Sequence, residues 1–160
     1  MNIVKRNKPY NFWSIMMAKK ILLTGGFDVL HRGHIELLKR SSDLGDQLYI
    51  GLTSDDTIKN RKGKDRPVLG YGDRRDILMA TKYVYSVSPI SGLNNGEITR
   101  STRELIGKIK PDIITAGWHG TADEFMIPIC RGDECLSYVK IYHRYSDIHT
   151  TDIIEKIRGV

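Results

Sequence analysis

His31 and His34 stand three residues apart with Gly33 between them, in the run Gly25-Gly26-Phe27-Asp28-Val29-Leu30-His31-Arg32-Gly33-His34. Two imidazoles at that spacing can aim at one anion. Each ring can donate a hydrogen bond, and a protonated ring adds charge. The run lies between a strand pattern and a helix pattern. Glycines at a strand end let backbone approach a ligand closely. A helix start offers unpaired N–H groups and the positive end of the helix dipole. That combination suits phosphate. Further along, Lys62-Gly63-Lys64-Asp65-Arg66 supplies a basic cluster, Arg144 a planar fork matched to phosphate, and Thr150-Thr151 hydroxyls at a predicted helix start. The competing roles are a solvated charge cluster for the lysines and plain helix capping for the threonines.

Other chemistries fit these residues poorly. No Gly-Lys-Ser/Thr follows the glycines, and their spacing is not the dinucleotide G-x-G-x-x-G. The histidine pair has no third ligand at convincing spacing for a metal. Cys130 and Cys135 form a lone pair in Cys-Arg-Gly-Asp-Glu-Cys and read as reduced thiols rather than zinc ligands.

The elements that must carry these residues alternate. Strand patterns cover residues 20–24, 47–53, 84–87, 112–116 and 138–142. Helix patterns cover residues 33–44, a stretch capped by Asp73 and bearing Ile77, Leu78 and Met79, residues 99–109, and 150–157. Residues 54–72 and 91–96 read as loop. Alternation of this kind predicts an α/β fold, a Rossmann-like parallel sheet of about five strands with helices on both faces. In such sheets ligands sit outside the carboxyl ends of the strands, at the switch point of the strand order.

With 160 residues, one domain with one core is expected. The formal charge is +6, and Lys5, Arg6 and Lys8 supply half of it. The modest remainder suits anionic small molecules. No long basic run with interleaved aromatics points to nucleic acid, and no apolar run reaches the roughly 18 residues of a membrane span. Residues 1–17 read as an N-terminal extension, expected to be poorly ordered, ahead of a domain at 18–160. Met16-Met17 directly precede the first strand, and the rival reading docks the extension through Phe12 and Trp13.

The histidine-bearing run resembles the G-x-F-D-x-x-H-x-G-H signature of the cytidylyltransferase-like nucleotidyltransferases. The resemblance recurs in order over residues 19–158. Lys62-Gly63-Lys64-Asp65-Arg66-Pro67 is similar to the family's basic loop, and Asp73-Arg74-Arg75 to the helix start after it. Pro111 to Gly117 is similar to its P-D-x-x-x-x-G strand, and Arg144 to Thr151 to its R-T-x-G-I-S-T-T segment.

The resemblance implies a cytoplasmic, homodimeric enzyme that couples a nucleoside triphosphate to a phosphorylated small molecule and releases pyrophosphate. CTP is the donor expected first. ATP with a sugar phosphate or FMN is the alternative, and a non-catalytic nucleotide-binding module is the other class. Mg²⁺ is expected to arrive with the nucleotide, without a protein-only site. The implied catalytic residues are His31, His34, Lys64 and Arg144. Gly26, Phe27, Arg32, Gly33, Gly117, Ile148, His149, Thr150 and Thr151 join them around the nucleotide. Lys62, Arg66 and His119 are implied on the acceptor.

Two departures stand out. Gly117-Trp118-His119 replaces a glycine followed two places on by aspartate, and His149 replaces the usual serine. His119 either meets an acceptor phosphate or packs beside Trp118.

Overall fold

The structure is a computed structural model and describes residues 18–117, 139–142 (backbone only) and 149–159. The extension at 1–17, His119, Cys130, Cys135, Arg144 and Ile148 lie outside the described residues.

Five parallel strands form one sheet among the described residues: β1 (Lys20–Gly25), β2 (Gln47–Thr53), β3 (Ser86–Ile90), β4 (Ile113–Gly117) and β5 (Val139–Tyr142). The helices are α1 (Arg32–Ser42), α2 (Asp55–Lys62), α3 (Tyr71–Ala80), α4 (Asn95–Ile109) and α5 (Thr150–Arg158). Strand order is β3-β2-β1-β4-β5. The chain therefore builds outward from β1 to β3, then returns to the other side of β1 for β4. The switch point falls between β1 and β4, where Ile21, Leu22 and Leu23 pair with Ile113, Ile114 and Thr115.

The central strand is apolar without alternation because both its faces are covered. Ile21 and Leu23 join a cluster with Leu38, Leu48, Ile50, Leu52 and Leu78, beneath α1 and α3. Leu22 points the other way, into a cluster with Ile90, Leu105, Ile106 and Ile114 beneath α4. Period two along β1 thus feeds two cores. The expected α/β architecture and five strands are as found.

Three boundaries differ from the sequence expectation. Residues 55–62 are helical rather than loop. Ser54 Oγ accepts the Thr57 N–H at 3.4 Å, acids open the helix at Asp55-Asp56, and bases close it at Lys59, Arg61 and Lys62. Only Thr57 and Ile58 are buried there, so the helix carries caps and dipole charges but little apolar periodicity. Asp73 does not cap α3. Gly70 does, and Asp73 lies in the first turn. The expected loop at 91–96 gives way at Asn95, because Asn94 Oδ1 accepts the Glu97 N–H at 3.0 Å and starts α4 early. The edge strand β3 also begins later than the apolar residues at 84–87 suggest, and it carries Pro89, which an edge tolerates.

A candidate phosphate-binding active site

The β1–α1 turn runs from the carboxyl end of the central strand, at the switch point, to the start of a helix. Phe27 and Val29 both take positive φ, 47° and 49°. A β-branched residue in that region is a real outlier, and each such residue costs about 1–3 kcal/mol. A Cβ at Gly25 would stand 2.8 Å from the Phe27 ring, so this residue must be glycine for the ring to fold back. Asp28, between the two strained residues, is what holds the turn. Its carboxylate accepts the Val68 N–H at 2.9 Å, the Leu69 N–H at 3.0 Å and Arg66 Nε at 2.8 Å. Its carbonyl accepts the Thr150 hydroxyl at 3.0 Å. One residue therefore ties the turn to the basic loop and to the start of α5. Burial raises the Asp28 pKa, but the Leu69 and Val68 N–H groups and Arg66 outweigh it and hold the carboxyl below its ordinary value.

His31 caps α1. The Gly33 N–H donates to His31 Nδ1 at 3.1 Å, and the His31 N–H donates to His34 Nδ1 at 3.4 Å, closing a capping box made of two imidazoles. The rings stack with centroids 3.9 Å apart, and Phe27 leans on His34 at 5.4 Å. An Nδ1 that accepts carries no proton. The hydrogen-bond pattern therefore assigns both neutral rings the tautomer with hydrogen on Nε2. Burial, then the nearby His149, pushes the His31 pKa below 6.5. The rings thus work as neutral donors, and the added charge expected from a protonated ring is not favoured at His31.

The same effect places His149 beside His31. His149 caps α5, and its N–H donates to Asp152 Oδ2 at 2.9 Å. Two helix starts, α1 and α5, converge here with His31, His34, His149 and Thr150. The Thr150 hydroxyl hydrogen is committed to Asp28, while Thr151 is exposed in the first turn.

Arg74, fully buried, anchors the other side of the turn. It donates to the carbonyls of Gly26 (2.5 Å), Leu69 (3.0 Å) and Thr53 (2.9 Å), and pairs with Asp55 Oδ1 at 2.6 Å. The second Asp55 oxygen accepts the Tyr71 N–H at the start of α3.

In the basic segment, Lys62 ends α2 rather than sitting in a flexible loop. It is exposed, yet crowding around its ammonium, followed by the Arg66 and Arg61 cations, lowers its pKa, with Asp28 opposing. Water screens part of that effect; what it establishes is that Lys62 faces Arg66 and Asp28. Lys64 is exposed after the Gly63 cap, and Arg32 is exposed at the first position of α1. Gly117 ends β4, across the switch point from Gly25.

A family model described as cytidylyltransferase-like matches residues 22–156. The chain belongs to that family of nucleotidyltransferases. Among its relatives, the bifunctional protein HldE of Desulfatibacillum aliphaticivorans is 35% identical over 147 residues, 89% of this chain and 28% of that protein. The FAD synthase of Pyrococcus abyssi (strain GE5 / Orsay) is 40% identical over 98 residues, 61% of this chain and 62% of that one. The chain spans less than a third of the HldE relative's length. A solved structure titled the lipopolysaccharide core biosynthesis protein from Thermoplasma volcanium GSS1 shares 30% identity. It superposes with a TM-score of 0.64 over 81% of this chain and 99% of that one.

Tertiary structure brings His31, His34, Gly33, Phe27, His149, Thr150, Lys62 and Arg66 around Asp28. Asp28, Asp55 and Arg74 were not singled out from the sequence as site residues. Asp28 lies inside the recognised signature and Arg74 inside the Asp73-Arg74-Arg75 match, but nothing local marks either as a buried hub. No helix of the described residues is long and apolar enough to cross a membrane.

Proposed function

We propose that this chain transfers a nucleotidyl group to a phosphorylated small molecule. A phosphate oxygen of the acceptor attacks the α-phosphorus of the triphosphate in line, the α–β bridging bond breaks, and pyrophosphate leaves. The observation that carries this reading is the paired capping of α1 by His31 and His34, which sets two Nε2–H donors at the carboxyl end of β1. Donors fixed beforehand need no reorganisation as charge grows on the phosphates. No side-chain nucleophile is needed, since transfer of this kind depends on positioning and charge neutralisation.

ATP is the donor we place first. The FAD synthase relative favours it, because making FAD joins an adenylyl group to FMN, and the Thermoplasma volcanium structure's title is compatible with a sugar-phosphate acceptor. CTP, first from sequence, is the second reading. Residues 144–151, which resemble the R-T-x-G-I-S-T-T segment, support it. Among the described residues no group of three or more His, Cys, Asp or Glu side chains is placed to hold a metal. We propose that Mg²⁺ comes with the triphosphate, neutralising its charge. Lys62, Lys64 and Arg66 would meet phosphates from the α2 side, and Arg144 from the α5 side.

The test is a thermal-shift panel of ATP, CTP, GTP and UTP with magnesium. Pyrophosphate release is then measured with FMN, glycerol 3-phosphate and a heptose phosphate. The reading expects one nucleotide to stabilise the protein most and at least one acceptor to release pyrophosphate. Stabilisation without release from any pair would make the chain a binding module.

A further inference from the structure

Arg66 carries the one buried side-chain polar atom without a hydrogen-bond partner among the described residues, its Nη2. The reason is local. A carboxylate usually takes an arginine through two parallel bonds. Asp28 cannot, because Oδ1 is filled by the Val68 and Leu69 N–H groups and Oδ2 receives Nε from Arg66. Arg66 is thus gripped by one edge, at 2.8 Å, with only 11% of its side chain exposed. Its second donor edge is turned away from the only carboxylate it touches.

The charges around it do not balance. Arg61, Lys62 and Arg66 lie close enough to act on one another, with Asp28 the opposing charge. Asp65, next in sequence, is drawn toward Arg158 at 4.0 Å. A buried donor with no partner, within an excess of positive charge, is an unfilled anion seat.

We propose that Arg66 Nη2 is the contact for a phosphate dianion, and that Asp28 is the positioning residue that keeps that edge of the guanidinium outward. The proposal rests on nucleotidyl transfer only in taking this phosphate to be the acceptor's. The paired edges of a guanidinium match the tetrahedral face of a phosphate, which Lys62 supports as a point charge. An anion reaches the buried atom as the neighbouring turn yields. That turn is exposed from Gly63 to Asp65, and around Gly63, at φ 96°, there is open space.

The experiment is calorimetric titration of the full chain with inorganic phosphate, in the presence of saturating α,β-methylene-ATP and magnesium to fill the donor site. Arg66→Gln should weaken phosphate by about tenfold or more, as expected for a lost charge-assisted bond, and leave the affinity for the nucleotide analogue within about twofold. Arg66→Lys, which keeps the charge but not the fork, should fall between them, with melting curves confirming that both variants fold. Acetate should not compete with phosphate. Equal phosphate affinity in wild type and Arg66→Gln, or parallel losses for phosphate and analogue, would overturn the proposal. If the analogue itself does not bind, nucleotidyl transfer is what fails, and the phosphate titration still reports on Arg66.

Discussion

Asp28 and Arg74 hold Leu69 from opposite sides: the Asp28 carboxylate accepts the Leu69 N–H at 3.0 Å, and Arg74 Nε donates to the Leu69 carbonyl at 3.0 Å. The acid belongs to the histidine-bearing turn and the base to α3. Through one residue of backbone, the turn that would face the donor and the loop that would face the acceptor are fixed to each other. Any loosening of one should be felt by the other.

Arg74→Met tests that coupling. The side chain is fully buried, and its loss would leave three carbonyls and Asp55 without their partner. Breaking a buried ionic network in this way costs about 3–5 kcal/mol. Urea unfolding should show a loss of that size, with activity falling further than the remaining folded fraction explains. A loss under about 1 kcal/mol would show that Arg74 holds nothing essential.

The histidines separate into a capping role and a donor role. His31→Asn keeps an oxygen able to accept the Gly33 N–H, because asparagine is a good N-cap, but lacks a ring nitrogen to reach a phosphate. It should melt near wild type and turn over at least about a hundredfold more slowly. His34→Ala should lose rate to a similar extent. Near-normal turnover in both variants would remove the pair from the reaction.

Acid should act at two separate places. The native pKa of His31 is pushed below 6.5, so its neutral form is favoured by folding. Its protonation at Nδ1 would break the bond from Gly33. Activity should hold down to about pH 6.5 and decline below it. Stability falls in the same window, since the unfolded chain takes up the proton first. Asp28 has a native pKa below 3.8, so its contribution is present above that value and lost as pH falls through the lower native one. Denaturant melts from pH 7 to pH 3 should show both losses in wild type and the upper one reduced in His31→Asn. An acid limb of activity centred above pH 6.5 would contradict this assignment.

Lys62 and Arg144 should divide the substrates. Lys62 faces Arg66 and Asp28 on the loop side, so Lys62→Ala should raise the acceptor KM and leave donor binding nearly unchanged. Arg144→Ala should weaken the triphosphate instead, as its place in the signature implies. Each lost charge-assisted contact is worth roughly 1.5–3 kcal/mol, giving shifts of about tenfold or more. Kinetics with each substrate varied in turn would decide it. Both variants weakening the same substrate alone would end the proposed division.

Much of this protein was legible along the chain because its signals are local. The unbroken Ile21-Leu22-Leu23 run marks a strand buried on both faces. The step from Gly25-Gly26 to His31-x-Gly33-His34 marks a turn feeding a helix start. Where signals were weak, boundaries moved. α2 has too few buried residues to show a helical stripe, and Asn94 starts α4 through a side-chain cap that composition alone did not reveal.

The sequence by itself determined the α/β alternation, the phosphate-facing histidine pair and the family, since each depends on residue types at short fixed spacings. Tertiary structure alone decided the rest. It fixed the tautomer of both rings, through backbone N–H groups that form a cap only once α1 exists. It made Asp28 a hub for residues 38 to 122 positions away, Arg66 to Thr150. It left Arg66 with one edge unsatisfied because backbone from Val68 and Leu69 reaches Asp28 first. The physical reason is common to all three. A side chain's charge and length can be read where it stands, but a hydrogen bond between distant segments exists only after the sheet order has brought those segments together.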